Sequence, residues 1–212
     1  MEQKIKIAVL GGGGRTGKYL VTQLLSQGYN IKLLLRSSEN FQLESPSIEI
    51  IIGDAIDAEA IRSLIQGCQA VISTIGQRKD EPLVASQATI NILKAMSKYG
   101  IKRYILVAGL NVDTPFDKKS PATITATEWM KMTFPVIHVD RQKTYSILST
   151  SDVNWTLIRV PFIEFTDTKG ETIVSLEDCR GNKISANDIA NFVIEQLSDE
   201  TYVKKSPFIA NV

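Results

Sequence analysis

The densest chemical signal in this chain of 212 residues is the run Gly11-Gly12-Gly13-Gly14-Arg15-Thr16-Gly17. It satisfies two spacings: G-x-x-G-x-x-G on Gly11, Gly14 and Gly17, and G-x-G-x-x-G on Gly12, Gly14 and Gly17. Both suit a pyrophosphate. The first glycine permits a tight turn, the middle one lets backbone approach the phosphates, and the last lets a following helix pack close to the preceding strand. The free N–H groups and positive dipole end of that helix then face the anion. As a mere connector, four consecutive glycines would carry a large entropic cost. A Walker A loop is excluded, because Gly17 is followed by Lys18-Tyr19 and no hydroxyl follows the lysine to hold a magnesium ion.

A second signal closes the next apolar run. Where an acidic residue would hold a ribose 2′-hydroxyl, the chain has Arg36-Ser37-Ser38. A guanidinium grips a 2′-phosphate in a bidentate manner, so NADP(H) is expected over NAD(H). Arg15 would supply a second cation. Glu39, three positions beyond Arg36, is the residue that argues for NAD, and a strand-end arginine can also be simply solvated.

These residues need a scaffold that brings strand ends together. Short apolar runs at 4–10, 31–35, 48–52, 70–75, 104–108 and 155–160 are rich in Ile, Val and Leu, as strands covered on both faces would be. Helical patterns at 16–27, 57–66 and 82–99 lie between them and end at Gly28, Gly67 and Gly100, where a left-handed residue is expected. Pro82 suits a first helical turn. The second half is less regular: a loop at 111–121, helices at 123–132 and 140–150, a turn at 166–170, a strand at 172–176 and a last helix at 185–197. Ser185 and Asp188 have the spacing of a helix cap. The grammar is strand, helix, glycine, strand, which predicts an α/β fold: a doubly wound parallel sheet with helices on both faces. One domain over 1–212 is the economical reading, with a cofactor half to about residue 110 and substrate-side loops and helices beyond it.

Composition narrows the partners. Lys plus Arg total 24 and Asp plus Glu total 23, a net charge of +1, so bulk electrostatics gives no reason to expect nucleic acid. The apolar runs are too short for a membrane span. Met-Glu-Gln-Lys leads straight into a strand pattern without a signal-peptide core, and Cys68 and Cys179 have no paired spacing, so a cytoplasmic protein with reduced thiols is expected. The single histidine, His138, makes a multi-histidine metal site impossible, and no metal is expected. A homodimer is compatible with all of this.

Together these motifs resemble the atypical short-chain dehydrogenase/reductase group that includes NmrA-like proteins and the biliverdin reductase B (flavin reductase)-like proteins. The carriers, spread over nearly the whole chain, are the glycine run, Arg36, Gly53-Asp54, Ser73-Thr74-Ile75-Gly76, Trp155-Thr156-Leu157-Ile158-Arg159-Val160-Pro161 and the segment from Ser185 to Ala190. The resemblance implies a single-domain Rossmann-type sheet with a small C-terminal substrate-side extension. It implies cofactor contacts from Gly11, Gly13, Gly14, Arg15, Thr16, Gly17 and Arg36. Asp54 and Ala55 would lie beside the adenine, although Asp54 also suits a turn cap. Thr74, Ile75 and Gly76 would lie along the middle of the cofactor, Ala108 and Gly109 near the nicotinamide, and Val160, Pro161 and Phe162 would wall its pocket.

Two departures from the wider superfamily bear on chemistry. None of the six tyrosines is followed four residues later by lysine, so Tyr-x-x-x-Lys is missing. Ala108-Gly109-Leu110 stands where many members carry a serine. Both absences weaken carbonyl–alcohol chemistry, which needs a proton delivered to a developing alkoxide. The expectation is an NADPH-dependent oxidoreductase that passes hydride to a planar acceptor such as a flavin or quinone, for which stacking matters more and solvent supplies the proton. Leu110, Phe116, Phe134, Phe162 and Phe165 are candidate pocket walls. His138 is a candidate proton donor or substrate-orienting group, and Lys143 a candidate contact to the cofactor ribose. The alternative is a non-catalytic, NmrA-like dinucleotide sensor. A sugar-nucleotide epimerase is disfavoured by the missing tyrosine.

Overall fold

The computed structural model describes residues 5–39, 41–77 and 84–212, so the expected role of Pro82 lies outside the described residues. In β1 (Lys6–Leu10), Ile7 and Val9 turn to one face and Ala8 and Leu10 to the other, and all four are fully buried. This double burial repeats along β2 (Asn30–Leu35), β4 (Ala70–Ser73), β5 (Arg103–Gly109) and β6 (Asn154–Val160), which is why these runs are mostly apolar, with Lys32, Thr156 and Arg159 among the buried polar exceptions. β3 (Ile48–Ile52) differs. It is an edge strand, and its apolar run leaves Ile50 and Ile52 exposed.

The strands pair in parallel in the order β3-β2-β1-β4-β5-β6, with Ile7 opposite Ile31 on one side and Ala70 on the other. The order reverses between β1 and β4, and ligands in such sheets bind outside the carboxyl ends at that point. Beyond β6 the sheet continues through β10 (Phe208–Asn211), β9 (Lys183–Ser185) and β7 (Phe162–Glu164), with β8 (Thr172–Ser175) antiparallel to β10. Of these late strands only β8 is anticipated by the sequence. The other three are short segments recruited by pairing.

Helices cover both faces. Leu20, Val21 and Leu24 of α1 (Arg15–Ser26) and Ile189 and Val193 of α6 (Ala186–Glu195) pack on Ile7, Val9, Leu33 and Ile105. On the other face α2 (Ala58–Ile65), α3 (Val84–Tyr99) and α5 (Pro135–Ser149) bring Ile61, Ile92 and Leu148 onto Leu10, Tyr104 and Leu157. Gly28, Gly67 and Gly100 take φ of +83°, +79° and +69° just past their helices, as expected. α4 (Pro121–Thr133) is capped by Ser120, α2 by Asp57 and α6 by Ser185, whose hydroxyl accepts from Asp188 N at 2.9 Å; each cap contributes about 1 kcal/mol. α5 corrects the expected start at residue 140. It begins at Pro135, with Phe134 alone between it and α4, because proline at the first helical position loses no hydrogen bond. Among the described residues no helix is long and apolar enough to cross a membrane.

Candidate functional site

The turn after β1 is shaped by steric need. Gly11 has φ +80°, and a Cβ there would stand 2.7 Å from the Thr74 carbonyl carbon. At Gly17 a Cβ would strike the Gly11 carbonyl, so only glycine lets α1 begin against the turn. Gly14 N donates to Gly11 O at 2.9 Å and closes the loop. Gly14 is also the N-cap of α1 without a side-chain hydrogen bond, and the first turn holds no acidic residue. The leading N–H groups of α1 are thus open to an anion.

Beside this turn lies a cavity of about 530 Å³ lined by Gly11, Gly13, Gly14, Arg36, Ser37, Ala55, Thr74, Ile75 and Gly76, among others. Several expected residues stand elsewhere. Of the cations Arg15, Lys18 and Arg36, only Arg36 lines the cavity. The Arg15 guanidinium carbon sits 4.2 Å from the centroid of the Phe165 ring, and Lys18 borders a separate groove beside Phe41. Thr16 and Gly17 belong to the helix start behind the lining. The Asp54 carboxylate accepts from Ile56 N at 3.0 Å, the turn-cap geometry, while its neighbour Ala55 reaches the cavity.

α5 secures the wall of this cavity. Arg141 Nη2 donates to Ile75 O at 2.6 Å. Burial draws the Arg141 pKa below its ordinary value, and Asp140 offsets part of that. Asp140 is fully buried and accepts from Ala85 N at 2.9 Å and Ser86 N at 3.1 Å, an anion at the start of α3. Lys143 is exposed and lines neither this cavity nor the next. The basic residue of α5 that touches the cofactor-side wall is Arg141 and not the expected Lys143; no local motif distinguishes the two.

A second cavity, of about 910 Å³, opens at the carboxyl ends of β5 and β6 under α4. Gly109, Asn111, Val160 and Pro161 form its floor, and Leu110, Trp129, Met130 and Phe162 its walls. Phe162 is 73% exposed, so its ring face is open to a ligand. Ala108, expected here, is buried in the core one residue before the floor. Of the other expected aromatics, Phe134 packs edge-on to Trp129 at 5.7 Å, Phe116 borders a different groove with Tyr145 and Trp155, and Phe165 lies against Arg15.

Asn111 is a site residue with no sequence signal. It is buried at the cavity floor, and its Nδ2 donates to His138 Nδ1 at 3.1 Å. Burial first, and then nearby Lys131, lowers the His138 pKa. The ring is therefore neutral near pH 7, with Nδ1 accepting and the proton on Nε2.

The loop that carries Asn111 is held from below. Arg159 is fully buried, its Nη1 lying 2.7 and 2.8 Å from the Asp117 carboxylate oxygens and 2.9 Å from Val112 O. Its Nε and Nη2 donate to Ser206 O at 2.9 and 2.7 Å, and the guanidinium stacks 3.5 Å over the Phe208 ring. Burial lowers the Arg159 pKa while Asp117 opposes the shift. Lys119 Nζ adds bonds to Asp113 at 2.7 Å, Leu110 O at 3.0 Å and Thr127 Oγ1 at 3.2 Å. Among the described residues no His, Cys, Asp and Glu cluster suits a metal ion.

A family model described as NAD(P)H-binding matches residues 11–200. An uncharacterized chloroplastic protein of Arabidopsis thaliana is 25% identical over 207 residues, covering 92% of this chain and 72% of that protein. Other curated relatives are longer, and the chain spans 43%, 32% and 35% of the length of three of them. Among solved structures, a short-chain dehydrogenase/reductase from Veillonella parvula DSM 2008 in complex with NADP superposes with a TM-score of 0.81 at 18% identity, over 99% of this chain and 95% of that one. An anaerobilin reductase from Escherichia coli O157:H7 gives 0.81 at 18% identity, over 97% of both chains. At these identities the likeness is one of fold.

Proposed function

The chain belongs to the NAD(P)H-binding family, and on that premise we propose that it is an NADPH-dependent reductase passing hydride to a planar acceptor such as a flavin or quinone. The observation that carries this reading is the pair of neighbouring cavities at the strand ends: one has a glycine turn, an uncapped helix N-terminus and Arg36, the other is apolar with an open aromatic face. The residues fit a dinucleotide, since the backbone around Gly11 and Gly17 has no room for side chains and α1 leaves its N–H groups open. Those groups hold the pyrophosphate, and Arg36 with Ser37 holds the 2′-phosphate. When bound, the reduced nicotinamide supplies a hydride. The acceptor takes up that hydride and one proton from water, so no protein acid is required.

Phe162 and Trp129 flank the acceptor ring and exclude water from one face. Asn111 directs its amide N–H at an acceptor carbonyl, and His138 acts through Asn111 by fixing the orientation of that amide. The two cysteines are free, which suits a reducing compartment such as the cytoplasm.

The test is to supply NADPH with FMN or menadione and follow the nicotinamide absorbance. Acceptor-dependent oxidation is expected. Tight cofactor binding with no oxidation across a broad acceptor panel would sink this reading in favour of a dinucleotide-dependent regulator. One observation favours that second reading: Trp129, Met132, Phe134, Val136 and Val139 are all exposed around the α4–α5 junction, an apolar face suited to a protein partner or a second copy of the chain.

A further inference from the structure

A third cavity, of about 630 Å³, opens between the 114–118 loop, Tyr145 of α5, Trp155 of β6 and the 204–206 segment that leads into β10. It shares no lining residue with the other two. Aromatic rings make its walls. Trp155 stands edge-on to Tyr145 with centroids 6.1 Å apart, and Phe116 is 75% exposed. Trp155 and Ser206 are themselves only 4% and 8% exposed, yet Trp155 Nε1 and Ser206 Oγ have no hydrogen-bond partner. An indole N–H can only donate, and a buried donor left unmet costs stability. The Ser206 carbonyl, by contrast, takes two bonds from Arg159.

The charges lining this cavity are unequally matched. Both carboxylates are committed: Asp117 lies 2.7 and 2.8 Å from Arg159 Nη1, and Glu177 pairs with Lys118 at 2.6 Å. Lys205 Nζ donates to a neutral partner, Thr201 O, at 2.8 Å. Lys204 is exposed and pairs with no acidic group among the described residues. It is also the one non-glycine residue among them at positive φ, +56°, and its N–H donates to Trp155 O at 2.7 Å. A lysine keeps such a conformation only where its surroundings enforce it. Here it fixes the Lys204 backbone beside Trp155.

We propose that this third cavity binds an aromatic monocarboxylate. The ring packs among Phe116, Tyr145 and Trp155, the carboxylate accepts from Trp155 Nε1 and Ser206 Oγ, and Lys204 pairs with it. A neutral ring would leave Lys204 unused. The ligand rests against Asp117 and Ser206, two of the partners through which Arg159 braces the loop of Asn111, a place suited to an effector. Such a site stands whatever the cavity under α4 binds. The experiment titrates the full chain, with NADP⁺ present, with 1-naphthylacetate and with its neutral counterpart 1-naphthylacetamide. The two indole N–H signals, from Trp129 and Trp155, are followed by ¹⁵N nuclear magnetic resonance and assigned with Trp155→Phe. The acid moves the Trp155 signal saturably, and the amide binds about 10-fold more weakly, the size of one charge-assisted bond. Lys204→Asn removes the charge and suits positive φ. It weakens the acid about 10-fold and leaves the amide unchanged. A Trp155 signal that stays still with the acid up to millimolar concentration overturns the proposal, as does movement at Trp129 alone. Equal binding of acid and amide, or equal effects of Lys204→Asn on both, also overturns it.

Discussion

The cavity behind the glycine turn is lined chiefly by backbone and strand ends, at Gly11, Gly13, Gly14, Thr74 and Gly76. The cavity under α4 is lined by side chains from distant segments, with Asn111, Trp129, Phe162 and Arg180 each on a different element or loop. The first kind of site is specified by a few adjacent residues and is ready once β1, α1 and β4 have paired. The second kind depends on long-range contacts that hold separate segments in register, and Arg159 is the main one. A half made of main chain tolerates side-chain change but no added Cβ. A half made of side chains is tuned by single substitutions and is vulnerable where a buried charge loses its partner.

The largest expected effect falls on the second half. Asp117→Ala leaves the fully buried Arg159 without its carboxylate and lowers unfolding free energy by about 3 kcal/mol, measured by urea denaturation. Under conditions where the variant remains folded, its NADPH affinity stays near wild type. Equal loss of cofactor binding would show that the two cavities are not separately supported. Next, Gly11→Ala places a Cβ against the Thr74 carbonyl at positive φ. NADPH binding weakens about 100-fold, or nearly 3 kcal/mol, with the far-ultraviolet circular dichroism unchanged. Full affinity in this variant removes the claim that backbone shape makes the first cavity.

A smaller effect sharpens cofactor choice. Arg36→Ala weakens NADP⁺ about 10-fold and leaves NAD⁺ little changed, read by titration calorimetry. Equal losses for both refute the role given to Arg36. The smallest effect is a pH dependence confined to the second cavity. The folded-state pKa of His138 is lowered, so the unfolded chain binds the proton more readily. Its contribution to stability is present above the unfolded value of about 6.5 and is lost as pH falls through the folded value. Protonated Nδ1 then faces the Asn111 amide donor to donor, and kcat/KM for the acceptor falls while NADPH binding stays level. His138→Asn flattens that profile; an unaltered profile would remove His138 from the acceptor side.

The first six strands were legible because apolar runs with glycine punctuation have only one economical arrangement. The glycine turn was legible because its steric demand is written in seven adjacent residues. Of the later strands only β8 was legible, from its apolar run at 172–176. Phe208–Asn211 is four residues long and becomes a central strand only because β6, β8 and β9 pair with it. The start of α5 was hidden by Pro135, which reads equally as the end of one element or the first turn of another. Asn111, Arg141 and Arg180 carry no local pattern. Their placement follows from contacts with His138, Ile75 and the Asp178-to-Asn182 turn, which spacing along the chain does not encode.

The position of β10 has a kinetic consequence. It lies between β6 and β9 in the sheet, and Ser206 just before it receives the Arg159 guanidinium. During synthesis β1, α1, β2 and β4 can associate while the later chain is still being made. The wall under α4 cannot close until residues 206–211 have left the ribosome. Until then Arg159 lacks its Ser206 acceptor and the edge of β6 is unpaired, a species open to wrong strand pairing. Folding is therefore expected to be vectorial, with the dinucleotide pocket completed first and the acceptor pocket last.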